Sequence, residues 1–360
     1  MAIPRTSDDF TPDWLTAALH ANSRLPMRTI VQSLTLERIG QGRGFAGSIR
    51  RLNVSYSGDS EMPLTIVAKS PSTDLTIRDY AIRDGMYQRE AMFYRELATE
   101  AGIPVPGCYF ADLDPDSGDF VLLLEDLTAL EEGDEITGCS LAQAALVVRS
   151  LARLHARWWN DGRVAGLDWI GRASGAPTEN DTVQARYQDA WGRATDTLAD
   201  IYAPELFMIA DKLGTGLAAV LEASASTNQT LNHGDCHLGN IFFRDDEVVF
   251  TDWQDVTVTS PALDIAYFIQ GSLPVETRRD NERELLDTYL STLRENGVTG
   301  YSPDHLIEDY RRGLLRTLIP SVLSVANLDM ETPQSRELVQ TIGGRMIGIS
   351  DWDCDDLIPD

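Results

Sequence analysis

The stretch LNHGDCHLGNIFFRDDEVVFTDWQ, residues 231–254, places several carboxylate, amide and imidazole side chains close together. Asp235 and Asn240 lie five positions apart in a segment that is too polar and too rich in glycine for a regular helix. Asp252 follows a predicted hairpin, at the end of the apolar strand VVF. Transfer of a γ-phosphoryl group needs one carboxylate that orients the attacking hydroxyl, and hard oxygen ligands for Mg²⁺. The spacing therefore favours Asp235 as a catalytic base, with Asn240 and Asp252 as magnesium ligands.

A zinc site is the competing interpretation of the same stretch. His233, Cys236 and His237 provide only one of the separations that are usual among zinc ligands, and the chain contains no Cys-x-x-Cys or His-Glu-x-x-His pattern. The pattern therefore favours magnesium. His233 is expected to be a buried histidine that braces the catalytic loop, residues 233–240, and Cys236 to be a packed thiol.

A glycine-rich segment lies far upstream, in GQGRGFAG. Its glycines, Gly42, Gly44 and Gly47, are weak evidence alone, because glycines also serve ordinary hairpin turns. A dinucleotide-binding fold would place a helix after them, whereas here a second strand follows. The order favours a strand–loop–strand flap over nucleotide phosphates.

Lysine is scarce in this chain, since Lys69 and Lys212 are the only lysines among 30 basic residues. Lys69 ends the apolar strand PLTIVAKS, and Glu90 lies on the helix that follows. A lysine at this place can neutralise nucleotide phosphate oxygens, provided that a carboxylate holds its flexible stem. We therefore predict that Lys69 and Glu90 form a phosphate-binding pair.

Composition limits the class of protein. The 360 residues carry a formal net charge of −26, which argues against nucleic acid or an anionic membrane as a partner. The longest apolar runs, such as FVLLL, are too short to span a membrane, and no signal peptide is recognisable. Four scattered cysteines indicate reduced thiols. The expectation is a cytoplasmic monomer or homodimer.

The order of the predicted elements indicates an α+β fold with two lobes. A small β-rich lobe, residues 1–125, contains an N-terminal helix, the glycine flap, the strand with Lys69 and the helix with Glu90. A larger helical lobe, residues 126–360, contains the acceptor-binding helices, the catalytic loop and Asp252. Strands are predicted at 30–40, 48–58, 63–70, 107–112 and 119–125, and helices at 84–102 and 140–159.

The motifs together resemble a known group. HGDCHLGN followed by FTDWQDVTVTSPALDIAYFI resembles the aminoglycoside phosphotransferase and choline kinase group, within the protein-kinase-like fold. LLLEDL and LARLHARWW are most similar to the ecdysteroid-kinase-like and acyl-CoA-dehydrogenase-linked phosphotransferase branches. The resemblance covers about residues 38–290, and its HGD-x4-N and D-W segments are the specific part.

The resemblance implies roles for the matching residues. ATP and Mg²⁺ would be the cofactors, Asp235 the base, and Asn240 and Asp252 the metal ligands. Residues 122–126 would form the hinge that meets the adenine. Asp264 is expected to be structural, capping or bracing the catalytic loop. The residues expected to bind the nucleotide are Gly42, Gly44, Gly47, Lys69, Glu90, Leu124, Glu125 and Asp126.

The motif region departs from protein kinases at two positions. Trp253 and Gln254 stand where the resemblance to protein kinases would place the Phe and Gly of Asp-Phe-Gly, so activation-loop switching is not expected. A small-molecule alcohol, similar to an aminoglycoside, choline, a steroid or a hydroxyacyl compound, is the expected acceptor. A catalytically inactive nucleotide-binding scaffold of the same fold is the alternative.

Aromatic residues of the larger lobe allow two interpretations. They could hold a quaternary ammonium group or line an apolar acceptor pocket, or they could be core residues. The residues in question are Trp158, Trp159, Trp169, Tyr187 and Trp191.

Overall fold

The computed structural model describes residues 1–40, 47–58, 61–172, 177–225 and 228–359. The chain divides into two compact units. The first comprises Met1–Leu130 with Phe250–Asp255, and the second Glu131–Val249 with Val256–Asp360. The predicted division after residue 125 differs from this one: the first unit extends to Leu130 and also includes Asp252, which was expected in the larger lobe.

The first unit is built on a five-stranded antiparallel sheet with the order β1-β2-β3-β5-β4. The prediction of an α+β kinase-like fold is confirmed by this sheet, by the helical second unit and by the solved structures described below. Each of the five predicted strands is present within a few residues of its predicted ends. The strands are β1 Val31–Arg38, β2 Gly47–Tyr56, β3 Thr65–Pro71, β4 Cys108–Leu113 and β5 Phe120–Glu125.

The two faces of the sheet carry different side chains because successive side chains of a strand point to opposite faces. Leu52, Ile66 and Ala68 are buried on one face, in a cluster with residues of helix α1, Pro12–Ala21. Lys69 lies next to Ala68 on β3 and therefore points to the opposite face. The covered face supplies the core of the unit, and the other face carries the charged chemistry.

Helices α2, Leu75–Arg83, and α3, Met86–Met92, follow β3. The helix predicted over residues 84–102 is present but not uniform: α3 passes into a π-helical turn at Phe93–Leu97 and a 3₁₀ turn at Ala98–Glu100. The helical segment ends at Glu100, two residues before Gly102, whose φ is 79°. That left-handed conformation favours glycine.

The second unit is mainly helical, with two small three-stranded sheets in the orders β10-β9-β6 and β7-β11-β8. Helix α4, Leu141–Arg157, begins with a capping box between Ser140 and Gln143. No described helix is both long enough and apolar enough to cross a membrane. The strands are β6 Glu131–Glu132, β7 Gly171–Arg172, β8 Thr230–Asn232, β9 Ile241–Arg244, β10 Glu247–Phe250 and β11 Thr257–Thr259. The helices are α4 Leu141–Arg157, α5 Gly162–Ala165, α6 Pro177–Ala199, α7 Pro204–Ala225, α8 Ala262–Ser272, α9 Val275–Glu295, α10 Pro303–Arg316, α11 Leu318–Asn327, α12 Pro333–Arg345 and α13 Gly348–Asp351.

Candidate active site

A buried group of three charges lies in the first unit. The ammonium Nζ of Lys69 is 2.6 Å from Glu90 Oε1 and 2.9 Å from Asp252 Oδ1. Lys69 is 8% exposed and Glu90 is 2% exposed. Burial alone would lower the pKa of Lys69, but the two carboxylates outweigh it and hold that pKa above its usual value. Lys69 is therefore a fixed positive charge, which suits the binding of phosphate oxygens.

Helix α3 holds the segment that carries Asp252. The indole of Trp253 is stacked on Phe93, with ring centroids 3.9 Å apart and planes 8° from parallel. Arg89 donates from Nε to the carbonyl oxygen of Gln254 at 2.6 Å. Asp252 itself has a φ of 63°, in the left-handed region. These contacts of the two residues that follow Asp252 help to maintain a backbone conformation that is unusual for a residue other than glycine.

The acidic side chains of the predicted hinge are occupied by neighbouring protein groups. Glu125 donates its backbone amide to Gly107 O at 2.7 Å and accepts the Gly107 amide on Oε2 at 3.1 Å. Asp126 accepts from Arg51 Nε at 2.8 Å. Leu124 pairs with Val67 on β3, on the face of the sheet that carries Lys69. The hinge roles of Leu124, Glu125 and Asp126 stay predictions. In these roles the backbone of the hinge and the Leu124 side chain would contact the adenine base.

Of the glycines in the predicted flap, Gly42 and Gly44 lie outside the described residues. Gly47 begins β2, and a Cβ atom there would come within 3.1 Å of Ser70 O, so the close approach of β2 to β3 favours glycine. Ile49 lies opposite Lys69 on β2 and shares its face. This apolar side chain beside the lysine was not singled out from the sequence, although the period-two pattern of β2 contains it.

In the second unit, Asp235 and Asn240 are brought together by a short loop that follows β8. Asn240 Nδ2 is 3.0 Å from the carbonyl oxygen of Asp235 and 3.3 Å from its Oδ2. A 3₁₀ turn, Leu238–Asn240, and Gly234 with a φ of 88° make this compact return of the chain feasible. Because the amide nitrogen is directed at Asp235, Oδ1 is the Asn240 atom suited to a metal ion.

The carboxylate of Asp235 is surrounded by donors. His237 Nε2 is 3.3 Å from Oδ2, and the hydroxyl of Tyr267 also forms a hydrogen bond with the carboxylate. Burial opposes ionisation of Asp235, but His237 outweighs it and lowers the pKa to about 2. Asp235 is therefore an oriented carboxylate at neutral pH. His237 was considered from the sequence only as a zinc ligand, and Tyr267 was not singled out.

Asp264 braces the catalytic loop, and its predicted structural role is confirmed. Its Oδ2 accepts the amide of His233 at 2.7 Å, and its Oδ1 accepts the amide of Gly234 at 2.9 Å. His155 on α4 places Nε2 at 3.3 Å from Oδ2. Tyr289 places its hydroxyl at 2.7 Å from the other ring nitrogen of His155. Three helices of the unit thus converge on two consecutive backbone amides.

Two residues of the zinc alternative, His233 and Cys236, lie in the protein interior. His233 and Cys236 are both fully buried, and His233 Nδ1 accepts the amide of Asp235 at 3.3 Å, as expected for a histidine that braces the loop. Within the described ranges, no group of three or more His, Cys, Asp or Glu residues is arranged to hold a metal ion.

Three of the five candidate acceptor-site aromatics belong to the core. Trp158 and Tyr187 are fully buried, and Trp191 is 9% exposed. The Tyr187 hydroxyl donates to Ala210 O at 2.9 Å, and Trp191 Nε1 donates to Asp211 at 2.9 Å. Each of these two polar atoms has a protein partner, which is the usual state of packed aromatics.

Comparison with solved structures shows the fold. A choline kinase from Cryptosporidium parvum matches with a TM-score of 0.59 and 12% identity, covering 95% of both chains. A Ralstonia eutropha protein assigned as an aminoglycoside phosphotransferase matches with a TM-score of 0.56 and 15% identity, covering 97% of this chain and 99% of the other. The choline kinase LicA from Streptococcus pneumoniae matches with a TM-score of 0.53 and 13% identity, covering 93% and 98%.

Sequence comparison is more specific. No curated protein sequence matches the chain. The model of the ecdysteroid kinase-like family matches residues 41–157 and 176–298, which together form most of the chain. These two segments contain Lys69, Glu90, the catalytic loop and Asp252. The chain belongs to the ecdysteroid kinase-like family.

Proposed function

We propose that this protein is an ATP-dependent phosphotransferase that moves the γ-phosphoryl group of ATP to a hydroxyl group of a small molecule. The observation that carries the proposal is the buried ammonium of Lys69 between the carboxylates of Glu90 and Asp252. A buried cation held in this way is suited to neutralising phosphate oxygens. The choline kinase LicA, which has the same fold, has also been determined with AMP bound.

The nucleotide-binding residues have separate tasks in this proposal. Lys69 contacts phosphate oxygens, and Glu90 keeps the lysine side chain in place. Asp252 and Asn240 provide oxygen ligands, which are the donors that Mg²⁺ prefers. The bound metal ion would neutralise charge that develops on the phosphate groups. Leu124 and the backbone of residues 125 and 126 would meet the base, with Gly42, Gly44 and Gly47 in the flap above the phosphates.

Asp235 acts on the acceptor. The acceptor hydroxyl donates its hydrogen bond to the Asp235 carboxylate, which directs a lone pair of the oxygen toward the γ-phosphorus. As the new oxygen–phosphorus bond forms, the bond between the γ-phosphorus and the β–γ bridging oxygen breaks, and the hydroxyl proton passes to Asp235. ADP and the phosphate ester are the products. A carboxylate with a low pKa serves this step by orientation, accepting the proton only as the bond to phosphorus forms.

The proposed acceptor is a small-molecule alcohol. The net charge of −26 is compatible with neutral or cationic acceptors. Because the fold alone does not select the acceptor, a panel is needed that spans aminoglycosides, macrolides, choline-like amines, sugars, sterols and hydroxyacyl-CoA thioesters. ADP release with ATP and Mg²⁺ is the common signal for all of them.

The test compares the wild-type chain with Asp235→Asn on that panel. We expect at least one acceptor to support ADP release, and we expect Asp235→Asn to lose roughly 100- to 10,000-fold in kcat, the range for loss of a catalytic acid or base. ATP affinity, measured by calorimetry with Mg²⁺, should remain near the wild-type value. Asp246→Asn is the control, since Asp246 is exposed in the turn between β9 and β10. Undiminished turnover in Asp235→Asn would overturn the proposed mechanism.

A further inference from the structure

Residues 131–139, which we call the acidic strap, run along the catalytic loop within the second unit. Glu131 and Glu132 pair with Phe243 and Phe242 of β9. The amide of Gly133 donates to Ile241 O at 2.9 Å. A Cβ atom on Gly133 would lie only 2.5 Å from Leu238 O, so the strap touches the loop at a place where only glycine fits.

The strap is fastened at its far end by Arg345, the last residue of α12. Arg345 is 7% exposed, and its guanidinium donates to Glu135 O at 2.6 Å and to Ile136 O at 2.8 Å. It also donates to Gly271 O at 2.8 Å, near the end of α8. Cys139 adds a backbone hydrogen bond to Ser272 O at 3.0 Å. Charge-assisted hydrogen bonds to three carbonyl groups hold the backbone of Glu135 in one position.

The side chain of Glu135 extends from this fixed backbone to the catalytic loop. Glu135 Oε1 is 3.0 Å from His237 Nδ1, and the opposite ring nitrogen, Nε2, is 3.3 Å from Asp235 Oδ2. A Cβ atom on Gly239 would lie 3.1 Å from the imidazole, so the ring also rests against the loop backbone. Each ring nitrogen of His237 therefore lies within ion-pair distance of one carboxylate, Nε2 is also 3.0 Å from Asn240 Nδ2, and the ring is packed on one face.

We propose that Glu135 is a positioning residue that fixes the ring of His237 so that Nε2 faces the Asp235 carboxylate. Held in this way, His237 restricts Asp235 to one orientation relative to the acceptor hydroxyl. The inference rests on the proposed function, in which Asp235 receives the proton of the acceptor. Without Glu135 the imidazole is bound at one nitrogen only, and rotation about its side-chain bonds releases the second contact.

The kinetic test uses Glu135→Ala, Glu135→Gln and the control Glu131→Ala. Glu131 lies in the same strap and carries the same charge, but its carboxylate accepts from Gln143 on α4. We expect Glu135→Ala to lower kcat by about 10- to 100-fold, the scale of effects from misplaced catalytic groups. The KM for ATP should change less than about twofold. Glu135→Gln should recover most of kcat, because its amide oxygen still accepts a hydrogen bond from Nδ1.

A second measurement, which does not depend on activity, follows the imidazole by NMR in protein labelled with ¹⁵N-histidine. The chain has five histidines, and a His237→Gln variant assigns the signal of His237. We expect a hydrogen-bonded Nδ1 proton in the wild-type chain and in Glu131→Ala, and its loss in Glu135→Ala. Absence of that signal in the wild-type chain would overturn the positioning role.

The two measurements separate the inference from the proposed function. A wild-type chain that transfers no phosphoryl group to any acceptor would refute the proposed function, and the positioning role with it, whatever the NMR signal shows. An active wild-type chain whose Glu135→Ala variant keeps its kcat would refute the positioning role alone. Equal losses of kcat in Glu135→Ala and Glu131→Ala would also refute it, since charge and not contact would then be the cause.

Discussion

Glu90 Oε1 and Lys69 Nζ lie 2.6 Å apart in the interior of the first unit, although the two residues are 21 positions apart in sequence. Burial raises the pKa of Glu90, whereas the nearby ammonium of Lys69 favours its ionised form. Asp252 approaches the same ammonium to 2.9 Å. One cation therefore serves two carboxylates, and we expect its removal to affect both stability and nucleotide binding.

Lys69→Met tests this dependence. The substitution leaves the carboxylates of Glu90 and Asp252 without a cation, so we expect a loss of about 3 kcal/mol in the free energy of unfolding, as is typical when a buried ion pair is broken. ATP binding in the presence of Mg²⁺ should fall below detection by calorimetry. Lys212→Met is the matched control, because Lys212, the other lysine, donates to Asp355 O at 3.3 Å in an exposed hydrogen bond. Wild-type ATP affinity in Lys69→Met would contradict the assignment.

Asp264→Ala should uncouple the catalytic loop from helix α8. It leaves the buried amide of His233 and the partly buried amide of Gly234 without their acceptor. We expect the free energy of unfolding, measured by urea denaturation, to fall by about 2 to 4 kcal/mol. We expect kcat to decrease and ATP affinity to persist. The control is Asp304→Ala, in the exposed first turn of α10. Equal stability of the two variants would show that the bracing contacts contribute little.

Two variants of Trp253 separate packing from hydrogen bonding. Trp253→Phe keeps a ring against Phe93 but loses the bond from Nε1 to Phe250 O, so we expect a cost of about 1 kcal/mol. Trp253→Ala removes a fully buried side chain and should cost about 3 to 5 kcal/mol. Since the stack holds the segment with Asp252, Trp253→Ala should also require more Mg²⁺ for half-maximal activity. Urea denaturation measures the loss of stability, and a Mg²⁺ titration of activity measures the metal requirement. Similar results for Trp253→Phe and Trp253→Ala would contradict the role of ring packing.

The pH dependence of stability should be altered by Asp309→Asn. Asp309 is 3% exposed, and burial raises its pKa from 3.8 to about 6, although Tyr301 donates to it at 2.8 Å. The folded state thus holds this proton more tightly than the unfolded state. The resulting stabilisation is complete below pH 3.8 and is lost as the pH rises through 6. One pKa unit corresponds to about 1.4 kcal/mol. At pH 8 the free energy of unfolding of Asp309→Asn should therefore exceed that of the wild-type chain by roughly 2 to 3 kcal/mol.

The control for that experiment is a variant of Asp351, whose pKa is shifted in the opposite direction. Burial opposes ionisation of Asp351, but hydrogen bonds from Arg279 and Arg278 outweigh it and lower its pKa. Its stabilising contribution is therefore present at neutral pH and is lost in acid. Asp351→Asn should be less stable than the wild-type chain at pH 8, and the difference should shrink as the pH falls. A gain in stability at pH 8 for both variants, or for neither, would contradict the two assignments.

Much of the fold could be predicted from the sequence because its signals are local. Period-two alternation indicated the strand at 48–58, short apolar runs indicated the others, and Gly102 marked the end of the predicted helix. The pairing of Lys69 with Glu90 was also predictable, since a scarce lysine at a strand end precedes an acidic helix. Each of these inferences needs only residues within 21 positions of one another in the sequence.

Contacts between distant segments could not be predicted in this way. Residues 250–255 belong to the first unit because Trp253 packs against Phe93, and the periodicity of the sequence does not predict this contact. The contact of Glu135 with His237 depends on the docking of the acidic strap, where glycines and an arginine from α12 meet. The candidate aromatics are a similar case, because the sequence does not distinguish a buried indole from one that lines a pocket.

Arg345 has a consequence for the length of chain that activity requires. A polypeptide ending before that position would retain every residue given a role toward ATP, Mg²⁺ or the acceptor, yet the carbonyl groups of Glu135, Ile136 and Gly271 would lose their shared donor. We expect nonsense or frameshift alleles in this last stretch to yield enzymes impaired in turnover even where the protein accumulates. The terminal helices should therefore tolerate fusion partners better than deletions.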